Sequence, residues 1–461
     1  MKGNPEHASP SDDLNSGGDS GRRSLILYTG RMVLLFFAAV ALALETVEHL
    51  DDHHQWIVAL AVAALFVARG IRLGRPVRAK HAAGCATLVV SSAVAYRTGY
   101  ADVGLPLLAP SGLALMWPMT SRPQPELLPK VYDLVDRTTG DPLAPFAMHA
   151  FKSYFFSENQ AAVLAYHSRV GVAVVSGDPI GDSDCFPSLI EQFRQHCANR
   201  GWRIAVLAAS ERHRALWTSP GAAPKFCSVA IGRDVVLRVD SFDMAGRQFR
   251  NLRQAVNRTY NAGLTTEVIP ERELTVELRA ELIQIAERVH GRNTERGFSM
   301  ILDHLLDGRY PGILIVIARG KDGEVQGFAR HAVAGNGTEI SLDMAWRRER
   351  SPNGIDERLG VAMLEYARDH GGRRVSLAFA AFPELFEEEN RGWVGRVVYR
   401  LIHLGDPVLA LESLYRYLRK FHALDERRYV LLDFKMLPIA AFALLTLEFV
   451  PRRKNTYLTR L

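Results

Sequence analysis

Three apolar runs separated by two glycine-containing turns make up residues 313–346, ILIVIARGKDGEVQGFARHAVAGNGTEISLDMAW. We predict three strands in this segment, at 313–318, 325–334 and 339–345. The turns KDG and GNG favour tight hairpins, because their glycines adopt the positive φ that such turns need. The segment therefore predicts two consecutive hairpins.

A helix and a further strand are predicted directly after these hairpins. The motif SPNG at 351–354 begins a helix that continues through Arg368 and ends at Gly371. Residues 375–380 are again apolar and predict the next strand. Hairpin strands, a turn, a helix and a closing strand thus form one α/β unit.

The same order of elements occurs earlier in the chain. Apolar runs at 161–166 and 170–175 predict a hairpin, and the turn GDPIGDSD occupies 177–184. A helix over 187–199 and a strand over 203–208 follow. The sequence therefore predicts two copies of one unit, which share a pattern but few residues.

Composition sets the limits for these predictions. The chain has 461 residues, about three average domain lengths, with 48% hydrophobic and 23% charged residues. This balance is typical of a globular protein and excludes a mostly disordered chain. The four cysteines contain no CxxC pair, which excludes a disulfide scaffold and a zinc ribbon and indicates a reducing compartment. The net charge of +6 is mild, so only its distribution indicates partners.

Residues 1–122 differ in character from the rest. A polar tail at 1–23, rich in Gly, Ser, Pro and Asp, predicts disorder. Apolar runs then predict a transmembrane region over 24–122 with about four helices, at 25–44, 56–68, 82–95 and 104–120. Arginines at 69–80 and acidic residues at 45–54 predict that the large remainder of the chain lies in the cytoplasm. Alternatively, the last two runs are buried soluble helices or a re-entrant hairpin.

A basic segment lies between the two α/β units. Four arginines of 246–263 occupy one arc of a predicted helix, next to an apolar arc, and 244–263 contains no acidic residue. Neutralisation within the helix is therefore excluded, and guanidinium groups suit phosphate oxygens. We predict contact with a polyanion, either RNA or anionic lipid, through Arg247, Arg250, Arg253 and Arg258. A solvated face is the alternative.

The order of elements resembles the GCN5-related acetyltransferase fold. The fold class predicted is therefore α/β, a tandem acetyltransferase-like domain with subdomains at 123–245 and 264–461, joined by the basic helix 246–263. The last subdomain ends in an apolar and basic tail, in which 436–450 predicts either an interfacial or a buried helix. Acetyltransferases of this fold hold the coenzyme A pyrophosphate on a glycine-rich turn, where this chain has Pro352. We therefore expect no coenzyme A or other cofactor, and an acyl donor of another kind.

Several motifs, in order and with matching gaps, resemble the multiple peptide resistance factor family of phosphatidylglycerol lysyltransferases. They are GDPIG at 177–181, RxxRxxRxxxNRxxxAG at 247–263, LDMxW…SPNG at 342–354, LYRYLRKF at 414–421 and ERRY at 426–429. The resemblance implies a membrane-anchored aminoacyltransferase that moves an amino acid from aminoacyl-tRNA to a hydroxyl of phosphatidylglycerol or a related lipid. Lysine is the first candidate for this amino acid. Such a reaction lowers the negative charge of the membrane and favours resistance to cationic peptides.

The resemblance also indicates site residues. Asp343 matches a family aspartate that would bind the donor α-ammonium; pairing with Arg347 or Arg348 is the alternative. Asn353 and Gly354 would present donors to the acyl carbonyl or terminal adenosine, unless Asn353 caps the following helix. Lys420 and Arg428 would hold the lipid phosphate or polarise the ester carbonyl. Arg347 is a further substrate-binding candidate, and Glu384, just after the last strand, is a candidate general base.

Two departures from the family pattern leave the donor and the lipid contact open. Trp346 stands where the family often has the arginine of an Asp-x-x-Arg motif, and Leu418 stands where lysine is frequent. No metal is expected, since the aspartates of GDPIGDSD lack the bidentate glutamate of a calcium loop and HExxH is missing. Two other classes stay open: a tRNA-dependent peptidoglycan-branching enzyme, and a non-enzymatic scaffold that binds anionic lipid or RNA.

Overall fold

The chain folds into two compact units, which we describe separately. The computed structural model describes residues 53–218, 225–290, 294–295, 302–381, 414–449 and 452–453. The first unit contains the described helices before Thr120 together with residues 169–171 and 194–203. The second unit contains the other described residues.

Three helices form most of the first unit: α1 at His53–Arg72, α2 at Ala79–Arg97 and α3 at Ala101–Leu115. α3 contacts both α1 and α2. The closest approach is at Gly112 of α3, where a Cβ would lie 2.2 Å from the backbone oxygen of Ala63 in α1. Glycine at this position therefore lets two helix backbones touch.

The described helices of the first unit overlap the predicted apolar runs 56–68, 82–95 and 104–120. No described helix, here or in the second unit, has both the length and the continuous apolar stretch that a bilayer crossing requires. The prediction of about four spans is therefore not confirmed. Its first run, 25–44, and the predicted disordered tail 1–23 lie outside the described residues.

The second unit is built on one mixed sheet. Its strands are β1 Ser153–Phe156, β2 Ala162–Arg169, β3 Val172–Ser176, β4 Ile180–Gly181, β5 Arg203–Ser210, β6 Cys227–Arg238, β7 Thr265–Pro270, β9 Ile313–Arg319, β10 Val325–Ala334, β11 Glu339–Arg347, β12 Arg374–Ala381 and β13 Leu424–Leu432. They lie side by side in the order β1-β2-β3-β5-β13-β6-β12-β11-β10-β9-β7, and β4 pairs with β2 beside this path. Two short strands, β8 Thr294–Glu295 and β14 Arg452–Arg453, pair separately.

Helices cover the sheet. They are α4 Leu128–Val135, α5 Phe186–Ala198, α6 Glu211–Thr218, α7 Arg250–Asn261, α8 Val276–His290, α9 Ile355–Asp369 and α10 Leu437–Phe449. Residues 414–419 are also helical. The predicted helices at 187–199 and after SPNG correspond to α5 and α9 within two residues, so both predictions are confirmed.

Alternation along β9 divides the core between the two faces of the sheet. Ile315 and Ile317 belong to one core together with Leu282 of α8. Their neighbours Leu314 and Val316 belong to the other core, which contains the buried residues of α7 and α9. The period of two in a buried strand therefore places α8 on one face and α7 with α9 on the other.

The two halves of the sheet exchange their last strands. β13, near the carboxyl end of the chain, pairs with β5 of the first half, and β6 of the first half pairs with β12. β13 and β6 also pair with each other at the centre. The sheet is thus continuous across the subdomain boundary predicted at 245–264.

The parallel pair at the centre of the second half opens after three residues. β11 and β12 are in register only at Glu339–Arg374, Ile340–Val375 and Ser341–Ser376. Beyond Ser341, β11 continues to Arg347 without pairing to β12, whereas β12 pairs with β6 on its other edge as far as Ala381. Asp343 therefore lies where the two parallel strands separate.

The last helix, α10, contacts β3 and combines two surfaces. Ala440 and Ala443 are buried, whereas Phe442 and Leu445 are 55% and 56% exposed. One face of α10 is therefore buried, as one interpretation of 436–450 predicts, and the other exposes apolar side chains; a position at a membrane interface stays a prediction.

Candidate functional site

The basic linking segment forms helix α7 with the predicted apolar underside, but the helix covers Arg250–Asn261 rather than 246–263, so Arg247 lies in the turn before it. Leu252, Ala255, Val256 and Thr259 are buried under the helix. Arg247, Arg250 and Arg258 are exposed, and none of them forms an ion pair with an acidic side chain in the described part of the chain. Three predicted arginines are thus available to a ligand.

Arg253 differs from the other three arginines. Its Nη1 donates to the backbone oxygen of Gly246 at 2.7 Å and to that of Met244. These bonds close the turn before α7, so Arg253 stabilises the helix start. The remaining exposed face of α7 carries the amides Gln254, Asn257 and Asn261 beside the arginines.

Helix α7 packs across the amino end of α9 at Gly354. This glycine is the N-cap of α9 with φ 103°, and a Cβ would lie 2.3 Å from the backbone oxygen of Ala255. Glycine is required here both by its backbone conformation and by the close approach. Asn353 is exposed, and the alternative that it caps α9 is wrong. The backbone of α7 thus lies against the amino end of α9.

Charged residues surround the first turn of α9. Lys420 Nζ donates to the Glu357 carboxylate, and Arg347 Nη1 lies 3.5 Å from Asp356 Oδ2. Burial raises the pKa of Asp356 above its ordinary value, and Arg347 opposes that rise. The side chains of Lys420 and Arg347 are 35% and 50% exposed. Both cations can therefore reach a ligand without leaving their carboxylates.

Asp343 is buried and has two donors. Its Oδ1 accepts the Leu302 N–H at 2.9 Å, and its Oδ2 accepts Arg330 Nη1 at 3.2 Å. Burial raises the pKa of Asp343 to about 6, although Arg330 opposes the rise. The alternative pairing with Arg347 or Arg348 is wrong, because those residues pair with Asp356 and Glu281.

Arg330 organises a charged cluster around Asp343 that the sequence did not indicate. Its Nε donates to Glu271 Oε2 at 2.9 Å and its Nη1 donates to the Asp303 backbone oxygen at 3.2 Å. Burial alone would raise the pKa of Asp303, but His149 and His304 hold it below its ordinary value. A charged residue inside the apolar run of β10 was the available signal.

Arg428 lies in a second buried cluster, in the first half of the sheet. It donates to Asp141 at 2.7 Å, to Asp234 at 2.7 Å and to Asp178 at 3.2 Å, and its side chain is 1% exposed. Burial raises the pKa of Asp234 to about 6, and Arg428 opposes the rise.

This cluster corrects the prediction that Arg428 binds substrate. Its guanidinium donates to three carboxylates and to the backbone oxygen of Ala208, and it is shielded from solvent. Asp178 belongs to the GDPIG motif and also accepts the Ser210 N–H at 3.0 Å. The geometry therefore makes GDPIG and ERRY two parts of one structural link.

The candidate base Glu384 lies outside the described residues. Within the described ranges, no group of His, Cys, Asp or Glu side chains has the arrangement of a metal site.

The chain is similar to known proteins along most of its length. The family profile described as phosphatidylglycerol lysyltransferase, C-terminal, matches residues 132–432. The MprF-like domain protein Rv1619 of Mycobacterium tuberculosis is 50% identical over 436 residues, covering 92% of this chain and 90% of that protein. The lysylphosphatidylglycerol biosynthesis bifunctional protein LysX of Rhodococcus jostii is 34% identical over 279 residues, covering 60% of this chain and 25% of LysX. The match thus spans about a quarter of LysX.

Two solved structures share the fold. L-PGS from Bacillus licheniformis superposes with a TM-score of 0.60 and 20% identity, covering 72% of this chain and 98% of that chain. The C-terminal domain of a putative lysylphosphatidylglycerol synthetase from Agrobacterium fabrum superposes with a TM-score of 0.59 and 22% identity, covering 70% of this chain and 97% of that chain. The region after residue 123 therefore shares the mixed α/β fold of these two structures, which confirms the predicted α/β class.

Proposed function

This chain belongs to the phosphatidylglycerol lysyltransferase C-terminal family, and from that membership we propose that it moves an amino acid from aminoacyl-tRNA to a hydroxyl of phosphatidylglycerol. The observation that supports the tRNA step is the exposed, acid-free arginine face of α7, lying across the amino end of α9. This face offers planar guanidinium donors for phosphate oxygens. Lysine is the amino acid that the family description favours.

The proposed reaction exchanges one ester for another. The lipid hydroxyl oxygen bonds to the aminoacyl carbonyl carbon, and the bond from that carbon to the ribose oxygen breaks. The proton of the lipid hydroxyl is taken up by a base, and the ribose oxygen leaves with a proton. Because the donor ester is already activated, catalysis needs mainly positioning, proton transfer and stabilisation of the tetrahedral oxyanion.

The separation of β11 and β12 is the proposed place for the donor amino acid. Asp343 lies there with a carboxylate that Arg330 and the Leu302 N–H orient. The Asp343 side chain is 1% exposed, so the donor must uncover this carboxylate on binding; on that condition we assign the α-ammonium group of the donor to it. Asn353 and Gly354, at the end of the adjoining loop, would present polar groups to the acyl carbonyl or the terminal adenosine.

Cations next to the first turn of α9 are the proposed partners of the ester and the lipid phosphate. Lys420 and Arg347 are partly exposed there, each beside a carboxylate. Arg428 is not part of this proposal, because its donors are occupied in the core. Glu384 stays a proposed general base.

A membrane location is also part of the proposal. The apolar runs before residue 120 and the arginines of 69–80 support a multi-pass anchor with the catalytic part in the cytoplasm. An anchor would confine the enzyme to the plane of its lipid substrate and so raise the local lipid concentration. The aminoacylated lipid would reduce the negative surface charge that attracts cationic peptides.

The direct test supplies the purified full chain in phosphatidylglycerol vesicles with a panel of radiolabelled aminoacyl-tRNAs, followed by lipid chromatography. We expect one labelled, ninhydrin-positive lipid whose formation ribonuclease pre-treatment abolishes. Absence of a labelled lipid with every tRNA would contradict the transfer. A product that forms despite ribonuclease would contradict tRNA dependence, and altered muropeptides without a new lipid in expressing cells would indicate the peptidoglycan-branching alternative.

A matched pair of variants tests the assigned carboxylate. Asp343→Asn keeps an acceptor for the Leu302 N–H but removes the charge that binds the ammonium, so we expect kcat/KM to fall by about tenfold or more. Asp369→Asn, which changes an exposed carboxylate near the end of α9, should retain wild-type activity. Thermal unfolding of both variants separates a lost contact from a lost fold.

A further inference from the structure

A groove of about 420 Å³ opens beside the amino end of α7. Gln248 and Asn251 line one side. The other side comes from the helical segment 414–419 and the residues after it, namely Tyr415, Arg416, Arg419, Lys420 and His422. We call this the 415–422 groove. None of the residues that line it is acidic.

The lining of the groove consists mainly of hydrogen-bond donors. Gln248 and Asn251 supply amides, and Arg416, Arg419 and Lys420 supply cations. Lys420 is held by Glu357, whereas Arg419 is exposed and has no ion pair with any residue the structure describes. An anion that enters here would therefore meet the unpaired positive charge of Arg419.

Packing fixes the two sides of the groove relative to each other. The rings of His422 and Phe249 meet edge to face with centroids 5.6 Å apart, and His422 Nε2 lies 3.2 Å from the Gln248 backbone oxygen. Leu418 and Phe421 are buried in the core that also holds Leu252 of α7. The donors of both sides are therefore pre-arranged, which reduces the entropy lost on binding.

Leu418 is buried, so the helical segment and the residue after it present their charge to the groove through Arg416, Arg419 and Lys420. Asn251 of the groove directly follows Arg250 of the α7 face, so the two donor surfaces are continuous.

We propose that the 415–422 groove binds the phosphodiester backbone of an RNA, as an extension of the α7 arginine face. Arg419 supplies the planar donor pair for a phosphate, and Gln248 and Asn251 donate to phosphate or ribose oxygens. This inference rests on the proposed function, in which the RNA is the aminoacyl-tRNA.

A lipid bilayer fits the groove less well than RNA. Insertion into a bilayer requires exposed apolar side chains, but the aromatic residue of the groove, Tyr415, is only 5% exposed. Exposed apolar side chains such as Phe442 and Leu445 lie on α10 instead. The groove offers amides and cations, which match a sugar–phosphate strand.

The test measures binding of end-labelled, unacylated tRNA to the full chain by fluorescence polarisation across a salt series. Arg419→Gln should weaken binding about tenfold, the effect of one charge-assisted hydrogen bond. The negative slope of log affinity against log salt concentration should also become shallower by about 0.7. Arg288→Gln is the matched control, since Arg288 is exposed on α8, across the sheet from α7, and should leave both values unchanged.

Binding to phosphatidylglycerol vesicles without RNA is measured in a second experiment. The variant Arg250→Gln distinguishes failure of the groove proposal from failure of the proposed function. If Arg419→Gln binds tRNA with wild-type affinity while Arg250→Gln binds more weakly, the groove proposal is overturned and the proposed function stands. Weaker vesicle binding with unchanged tRNA binding would make the groove a lipid site and overturn the inference. Failure of the wild-type chain to bind tRNA would overturn both.

Discussion

Arginines at two places in this molecule have opposite surroundings. Arg428 in β13 is 1% exposed and donates to three aspartates, which come from a loop, from the GDPIG turn and from β6. Arg250 and Arg258 on α7 are exposed and pair with no acidic residue that the structure describes. All three lie within residues 132–432, which match the family profile.

The difference shows that a motif arginine has no single meaning. Some guanidinium groups have only protein groups as hydrogen-bond partners. Such a group links segments of the fold, because its removal leaves buried carboxylates without a partner. A guanidinium that the fold leaves unpaired is available for a ligand. Arg428 therefore stabilises the strand exchange, whereas Arg250 and Arg258 are exposed and available to a ligand.

The strongest test of this comparison is Arg428→Met, which keeps side-chain volume but leaves three buried carboxylates without their shared cation. We expect the free energy of unfolding to fall by about 3–5 kcal/mol, measured by urea denaturation of the purified chain. Arg250→Gln is the control and should change it by less than about 0.5 kcal/mol. Equal losses for the two variants would contradict the comparison.

The double variant Arg250→Gln with Arg258→Gln should show the reverse behaviour. Two phosphate contacts are lost, so tRNA affinity should fall about 100-fold, equivalent to about 2.7 kcal/mol, while the urea midpoint stays unchanged. Filter binding at several salt concentrations measures this effect. Unchanged affinity together with loss of stability would assign these arginines a structural role.

His331 in β10 extends the comparison to a buried group without a charged partner. It is fully buried, neither ring nitrogen makes a well-aligned hydrogen bond to a described residue, and burial lowers its pKa to about 3.

The pKa of His331 is lower in the folded chain than in the unfolded chain. Above about pH 6.5 the imidazole is neutral in both states and the folded chain keeps its full stability. As the pH falls towards 3, only the unfolded chain binds the proton, so the free energy of unfolding decreases. His331→Leu should remove this loss, a gain relative to wild type of about 1.4 kcal/mol for each pH unit below about 6.5. Denaturation at pH 7.5 and 5.5 measures the difference. Parallel loss of stability in both proteins would refute this effect.

The smallest effect is expected for an exposed ion pair. Arg319 Nε lies 2.7 Å from Glu267 Oε1, with side chains 29% and 43% exposed. Since solvent screens such a pair, a double-mutant cycle with Arg319→Gln and Glu267→Gln should give a coupling energy of about 0.5 kcal/mol or less. A coupling above about 2 kcal/mol would contradict the view that burial sets the strength of these contacts.

Local patterns were enough to predict much of the second unit. The strands within 313–346 and the helix after SPNG were predictable from apolar runs, glycine turns and a helix start, all of which act over a few residues. The central strands β6 and β13 were not predicted. Their pairing joins segments about 200 residues apart, and no local rule specifies which distant strands become neighbours.

In the candidate site, too, some features follow from local sequence and others from contacts between distant segments. The acid-free arginine arc of α7 was predictable, because helical period and charge are properties of one short segment. The cluster of Arg330, Glu271 and Asp303 around Asp343 was not, because these residues come from separate loops and strands. Pairing, and with it the raised pKa of Asp343, depends on which segments the sheet brings together.

The amino-acid sequence alone determined the α/β units, the basic helix and the family, because each depends on residues close together in the chain or on a motif order. Tertiary structure decided which arginines are buried among carboxylates and which face solvent. It also decided that α7 closes the amino end of α9 at Gly354. The reason is physical: burial and ion pairing are set by contacts between distant segments, and these contacts exist only once the sheet has formed.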